Sequence, residues 1–263
     1  MNAYAATVSA RFRMLMQYRG AALAGVVTQV FWGFLRVMIF TAFYESTSAR
    51  QPMTLAQTTG YLWLCQAFLV LVMMGADSEL AAMIRSGNVA YDLVRPVDLY
   101  GYWLARSFSS RAAPMVLRAG PILLVAAAVG QLHWPASAVR GALFAVSIAL
   151  GLVLASVMYA TVTISLLWTI SGDGVARIAP PVIFFLSGLI IPLPLFPNFV
   201  QPVLRTLPFR GLVDVPFRIY LGQMPAGAIG PGILQQVIWI VALAILGRML
   251  LAIGLKRVVA QGG

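Results

Sequence analysis

Residues 139–170 read VRGALFAVSIALGLVLASVMYATVTISLLWTI, with Arg140 as the only charge. An α-helix of that length would run about 48 Å, against about 30 Å of bilayer hydrocarbon. The stretch is long enough to cross a membrane and still tilt or protrude. Five further apolar runs lie outside it, at 21–44, 58–76, 112–129, 178–195 and 233–255. Hydrophobic residues make up 61% of the 263 positions and charged residues 10%. A soluble domain carries about a quarter charged residues. This chain lacks the polar surface to coat a globule, so the bilayer is its solvent. The expected fold is an all-α integral membrane protein, one transmembrane domain over 1–263 with six spanning helices.

The net charge of +11 would suggest nucleic acid in a soluble protein. Here the arginines are spread between apolar runs, so they read as topology signals and as contacts for membrane lipids, with no nucleic-acid partner. With an even number of spans and the N-terminus inside, ten of the 18 basic residues fall in inner segments and five in outer ones. Both termini are therefore expected in the cytoplasm. Residues 1–19 carry Tyr4, Val8, Phe12, Leu15 and Met16 at helical spacing, which predicts an amphipathic helix on the membrane surface. The run at 21–44 exceeds a usual signal-peptide core and contains Arg36, so it reads as a retained span. The one cysteine, Cys65, allows no disulfide within the chain, and the one histidine, His133, leaves no ligand set for a metal.

Two segments break the apolar pattern. Residues 77–111 read DSELAAMIRSGNVAYDLVRPVDLYGYWLARSFSSR. Asp77 or Ser78 would cap a short helix supported by Glu79, and Ser86-Gly87-Asn88 would end it. A second amphipathic stretch at 100–108 then leads into the third span. A connector of this length with its own helix signals is the natural docking place for a soluble partner. Residues 190–232 read IIPLPLFPNFVQPVLRTLPFRGLVDVPFRIYLGQMPAGAIGPG, with eight prolines. No continuous span survives that density, yet the segment stays apolar between its arginines. Short helices dipping into the outer leaflet over 192–230, a re-entrant segment, would keep Phe196, Phe199, Leu204, Leu207 and Phe209 out of water. A proline-rich external loop is the plainer alternative.

Arg36, Arg118 and Arg248 fall inside spans. Arg248 is close enough to an end to snorkel, whereas Arg36 and Arg118 admit a structural and a functional reading equally. The seven acidic residues all read as loop residues, which argues against an ion-driven transporter. The single lysine, Lys256, is followed by Arg257, so no phosphate-binding GxxxxGK[ST] loop exists. No catalytic residue and no metal site is expected.

The layout resembles the permease subunit of type-2 ABC exporters, the ABC-2 superfamily, in its compact subgroup often encoded as permease pairs with one ATPase. The resemblance rests on the surface helix, the six spans, MIRSGNVAYDLVRPV at 83–97, and SGLIIPLPLFPNFVQPVLRTLPFRGLVDVPFRIYLG at 187–222. It implies a coupling helix within 77–111, with Glu79, Arg85, Asp92 and Arg95 facing the ATPase. It implies ABC ATPase subunits and a second permease chain, identical or homologous, as partners. ATP and magnesium would be bound by the partner ATPase, with no cofactor in this chain. The second and fifth spans would line the path, with Phe68, Val72, Phe184, Phe185 and Ile191 as lining residues. The setting would be the cytoplasmic (inner) membrane, and the cargo amphipathic or lipophilic. A non-transporting membrane scaffold and an ion-driven secondary transporter remain as alternatives.

Overall fold

A computed structural model describes residues 3–94, 96–132, 134–168 and 174–256. Every regular element among them is helical. Four helices are long and apolar enough to cross a membrane: α2 (Arg19–Ser46), α7 (Leu99–Ala128), α8 (Ala138–Ser165) and α12 (Ala226–Leu255). Between α2 and α7, α3 (Leu55–Ala67) meets the stretch Val70–Arg85, which holds α4 (Val70–Met73) and α5 (Ser78–Arg85), at a 48° bend; the pair is apolar enough to count as one broken span or as a re-entrant loop, which puts the candidate crossings at four to five. Before α2 lies α1 (Ala3–Met16), which packs along α7. The remaining short helices are α6 (Ala90–Leu93), α9 (Gly174–Leu186), α10 (Gln201–Thr206) and α11 (Asp214–Tyr220). The chain is a multi-pass membrane protein.

Local chemistry sets the helix starts. Thr54 and Gln57 form a reciprocal capping box on α3, with bonds of 3.2 and 2.9 Å. Asp98 accepts from the Gly101 amide at 2.8 Å to start α7, and Ser137 accepts from Arg140 at 3.2 Å to start α8.

α3 is the axis of the bundle. All ten residues from Thr58 to Ala67 are buried. Tyr61 meets Phe217 edge-on with ring centres 5.3 Å apart, and Phe68 contacts Phe144 at 5.7 Å and Phe217 at 5.8 Å. α2, α7 and α11 surround α3 directly, while α12 packs on α8. By contrast, Phe31, Trp32, Met38 and Ile39 on α2 and Ile238, Ile245 and Met249 on α12 are exposed. Two faces this apolar would aggregate a soluble protein. They are the faces expected to meet lipid or another membrane chain.

Three expected boundaries shift. The third span begins at Leu99, not near 112, so α7 absorbs the stretch at 100–108, and Arg106 and Arg111 sit buried inside a helix. The segment expected to span 178–195 is helical over Gly174–Leu186 and then turns at Leu193–Leu195. The last helix starts at Ala226, upstream of 233.

The proline-rich segment folds into the short helices α10 and α11 joined by a tight turn at Pro208–Gly211. Its apolar residues are mostly covered: Leu204, Leu212, Val213 and Phe217 are buried, though Phe199 is 82% exposed. Close approach is possible because α8 carries Gly151, where a Cβ would lie 2.8 Å from the Leu212 carbonyl oxygen. Asp214 corrects the expectation that every acid lies in a loop. It is the first residue of α11, 1% exposed, with Arg210 and Arg218 each 3.7 Å from its carboxylate. Two cations offset part of the desolvation of that one buried charge.

Candidate functional site

The polar chemistry of the chain concentrates where α4 turns into α5. Asp77 caps α5 by accepting from the Leu80 amide at 3.0 Å, and its own amide donates to Thr163 Oγ1 of α8 at 3.2 Å. From α7, Arg106 donates through Nε to Asp77 Oδ2 at 3.2 Å and through Nη2 to Glu79 Oε2 at 2.8 Å. From α1, Arg11 Nη2 reaches the same Glu79 oxygen at 2.7 Å. Glu79 thus ties three helices together while its side chain stays 62% exposed.

A second set of contacts fixes the turn just before α5. Arg111, 2% exposed, donates to the Gly75 carbonyl at 2.5 Å and to the Ser107 carbonyl at 2.9 Å. Its guanidinium lies 4.4 Å over the Tyr159 ring, and the Tyr159 hydroxyl donates to the Val72 carbonyl. Residues 72–79 are therefore bolted to α7 through charge-assisted bonds and to α8 through the neutral bonds from Tyr159 and to Thr163. Burial by itself would raise the Asp77 carboxyl, but the Leu80 amide and the Arg106 guanidinium outweigh it and hold the group below its usual range. Glu79 is also held low, first by the hydrogen bond from Arg11 and then by the charge of Arg106.

The four residues expected to face an ATPase are not equivalent. Glu79 and Arg85 are on α5, and Arg85 is exposed at its last turn. Asp92 points inward: it is 2% exposed and accepts from Trp103 Nε1 at 3.3 Å, so it braces α6 against α7. Arg95 lies outside the described residues. Sequence reading passed over Tyr91, Leu93 and Val94, which are 71, 45 and 82% exposed around the short helix α6. Their signal was present in the apolar letters of AYDLV inside an otherwise polar connector. Beside them, Arg248 stretches from α12 to Asp98 at 3.4 Å, with its side chain 63% exposed, as snorkelling requires.

The expected path residues also divide. Phe68 and Val72 are enclosed by this chain's own core, 5% and 0% exposed. The second span as a whole is central, not peripheral. Phe184 instead lines an open groove of about 500 Å³ between α2, α3 and α9, Ile191 borders the neighbouring groove toward Phe40, and Phe185 is 43% exposed. Arg36 bridges the two grooves and donates to the carbonyls of Leu189 and Ile190, both at 2.6 Å.

The sequence model of the family described as ABC-2 family transporter protein matches residues 26–262. The chain belongs to the ABC-2 transporter family. No curated protein and no solved structure matches it. An ABC-2 chain is the transmembrane component of its transporter and not the ATPase, and the family generally works with ABC ATPase partners. In this ABC-2 chain the bolted turn at 72–79 joins the helix that carries the connector to the axis of the bundle.

Proposed function

We propose that the chain is the permease subunit of an ATP-driven exporter, moving an amphipathic or lipophilic substrate across the cytoplasmic membrane. A separate ABC ATPase would dock on the surface formed by α5 and α6, holding ATP and magnesium on its own side. The observation that carries this reading is the pairing of an exposed apolar tip, Tyr91, Leu93 and Val94, with a charge-braced turn leading straight into α3. An apolar tip suits insertion into a pocket of a soluble partner. A braced turn suits transmission, because packed interfaces move as units and do not deform gradually. Glu79 and Arg85 would supply the polar rim.

The four long helices, the bent α3–α4 pair and α9 together make six crossings on this reading, with both termini cytoplasmic and α1 on the membrane surface. α9 is about 20 Å long by itself, so its crossing would be completed by the turn that follows. A second permease chain, identical or homologous, would cover the open faces of α2 and α9. Phe184, Phe185 and Ile191 would then border the path, and the proline-rich segment would close it on the outside.

The test is co-purification with the ABC ATPase encoded beside this chain. The wild type is expected to retain the ATPase, and Val94→Asp to lose it while folding normally. An ATPase that never co-purifies, or that binds Val94→Asp as well as wild type, would overturn the docking surface.

A further inference from the structure

The groove between α2, α3 and α9 has a polar centre that the packing leaves unfinished. Gln29 on α2 and Gln66 on α3 both line it, 5% and 3% exposed. Gln29 Nε2 donates to the Gln66 carbonyl at 3.0 Å, but Oε1 of each amide is buried without a partner among the described residues. Arg118 of α7 enters the same groove, with its Nε also buried and unpartnered there. Its guanidinium lies against Gly25, where a Cβ would come within 2.7 Å of the Arg118 Cζ. Any other residue at 25 would push the cation away. Among the described residues no carboxylate lines the groove. The walls running from this centre toward Arg36 are apolar: Trp32, Leu69, Phe184 and Leu189. Along α2, the distance from Gly25 to Arg36 is about 16 Å.

A guanidinium at membrane depth without a counter-charge is expensive and marks a functional site by default. Snorkelling does not explain Arg118, which points into the groove. A buried amide oxygen without a donor is likewise unfavourable. One ligand chemistry relieves all three groups: an anionic head bearing hydroxyl donors, with an apolar chain long enough to lie along α2.

We propose that this groove binds an anionic membrane lipid, its acidic head on Arg118, its hydroxyls on Gln29 and Gln66, and its acyl chain along Trp32 and Phe184. The inference names the cargo class of the transport reading above and rests on it for its purpose. Its test is binding without turnover, so a failed test leaves ATPase docking untouched.

The purified full chain is equilibrated with vesicles of equal parts phosphatidylglycerol and phosphatidylcholine, and retained lipid is counted by native mass spectrometry. Wild type is expected to prefer phosphatidylglycerol by about tenfold, the size of one charge-assisted hydrogen bond at the weak end of its range. Arg118→Gln should abolish the preference while keeping or raising Tm, because it removes an uncompensated charge. Arg118→Lys should keep part of it, and Arg19→Gln, at the exposed start of α2, should keep all of it. Inorganic phosphate should not displace the lipid. Equal retention of the two lipids, an Arg118→Gln chain that still prefers phosphatidylglycerol, or displacement by phosphate alone would overturn the proposal. So would Trp32→Cys chains that crosslink copy to copy while excluding lipid, since a second copy would then be the occupant. If Arg118→Gln fails to fold, a reduced but remaining preference in a folded Arg118→Lys supports the site, and an undiminished tenfold preference in Gly25→Leu overturns it.

Discussion

Glu79 accepts from two arginines on two helices, and Arg106 donates to two acids. Removing Arg106 strands Asp77, whose side chain is only 13% exposed. Arg106→Gln is expected to lower stability by about 2–3 kcal/mol, measured by reversible detergent unfolding. Glu79→Gln leaves a more exposed partner behind, so it should change stability little but free α1 from α5. The same contacts predict a pH dependence. Both carboxyls are held below their usual values, so the stability they add is complete above about pH 5 and fades as the pH falls through 4 and below. The distance between spin labels on α1 and α5 should therefore be short and narrowly distributed at neutral pH and broaden near pH 3; an unchanged distribution would refute the charge-based tie. Of these residues, Asp77 as a cap and Glu79 in the first turn were legible from sequence, because capping is a local rule. That Asp92 faces inward was not, since its partner Trp103 comes from the next helix.

Among the elements, α8 and the proline-rich segment show where one-dimensional reading stops. The apolar run at 139–170 announces a spanning helix, but nothing in it says which face meets lipid. Gly151 decides that face by admitting the Leu212 backbone. Gly151→Ala gains about 1 kcal/mol of helix propensity yet places a methyl 2.8 Å from a carbonyl oxygen that cannot swing away. Against a fixed backbone atom the overpacking cost lies toward the upper end of about 1–3 kcal/mol, so a net loss of about 1–2 kcal/mol is expected in the same unfolding assay. An unchanged or raised stability would mean that α11 does not seat on α8 as described. Asp214 escaped the sequence reading for a related reason. Its arginines stand four residues to either side, a spacing that becomes a contact only once the prolines have turned the segment into short helices. At α6 the converse holds. Val94 is 82% exposed, so Val94→Asp should shift stability by less than about 0.5 kcal/mol while abolishing ATPase retention.

For the molecule as a whole, composition and hydropathy were enough to specify a helical membrane bundle, and the absence of a phosphate-binding lysine pointed to a partner for energy. The arrangement of the bundle was not legible. Every apolar run looks alike in sequence, yet α3 is enclosed from Thr58 to Ala67 while α2 and α12 turn broad faces outward. That is why Phe68 and Val72, chosen for a path, belong to the core. It is also why the groove holding Arg118, Gln29 and Gln66 was out of reach: α2 and α3 build it together with the distant α7 and α9. On the proposed function this chain moves an amphiphile only when a separate ATPase hydrolyses ATP. This is tested most directly in liposomes holding the chain, its neighbouring ATPase and a fluorescent phosphatidylglycerol, with the dye's leaflet followed by dithionite quenching. Movement between leaflets that needs the chain, the ATPase and magnesium-ATP together is the predicted result. Movement that proceeds without ATP on an ion gradient, or no movement of any amphiphile tried while the ATPase stays bound and active, would contradict it.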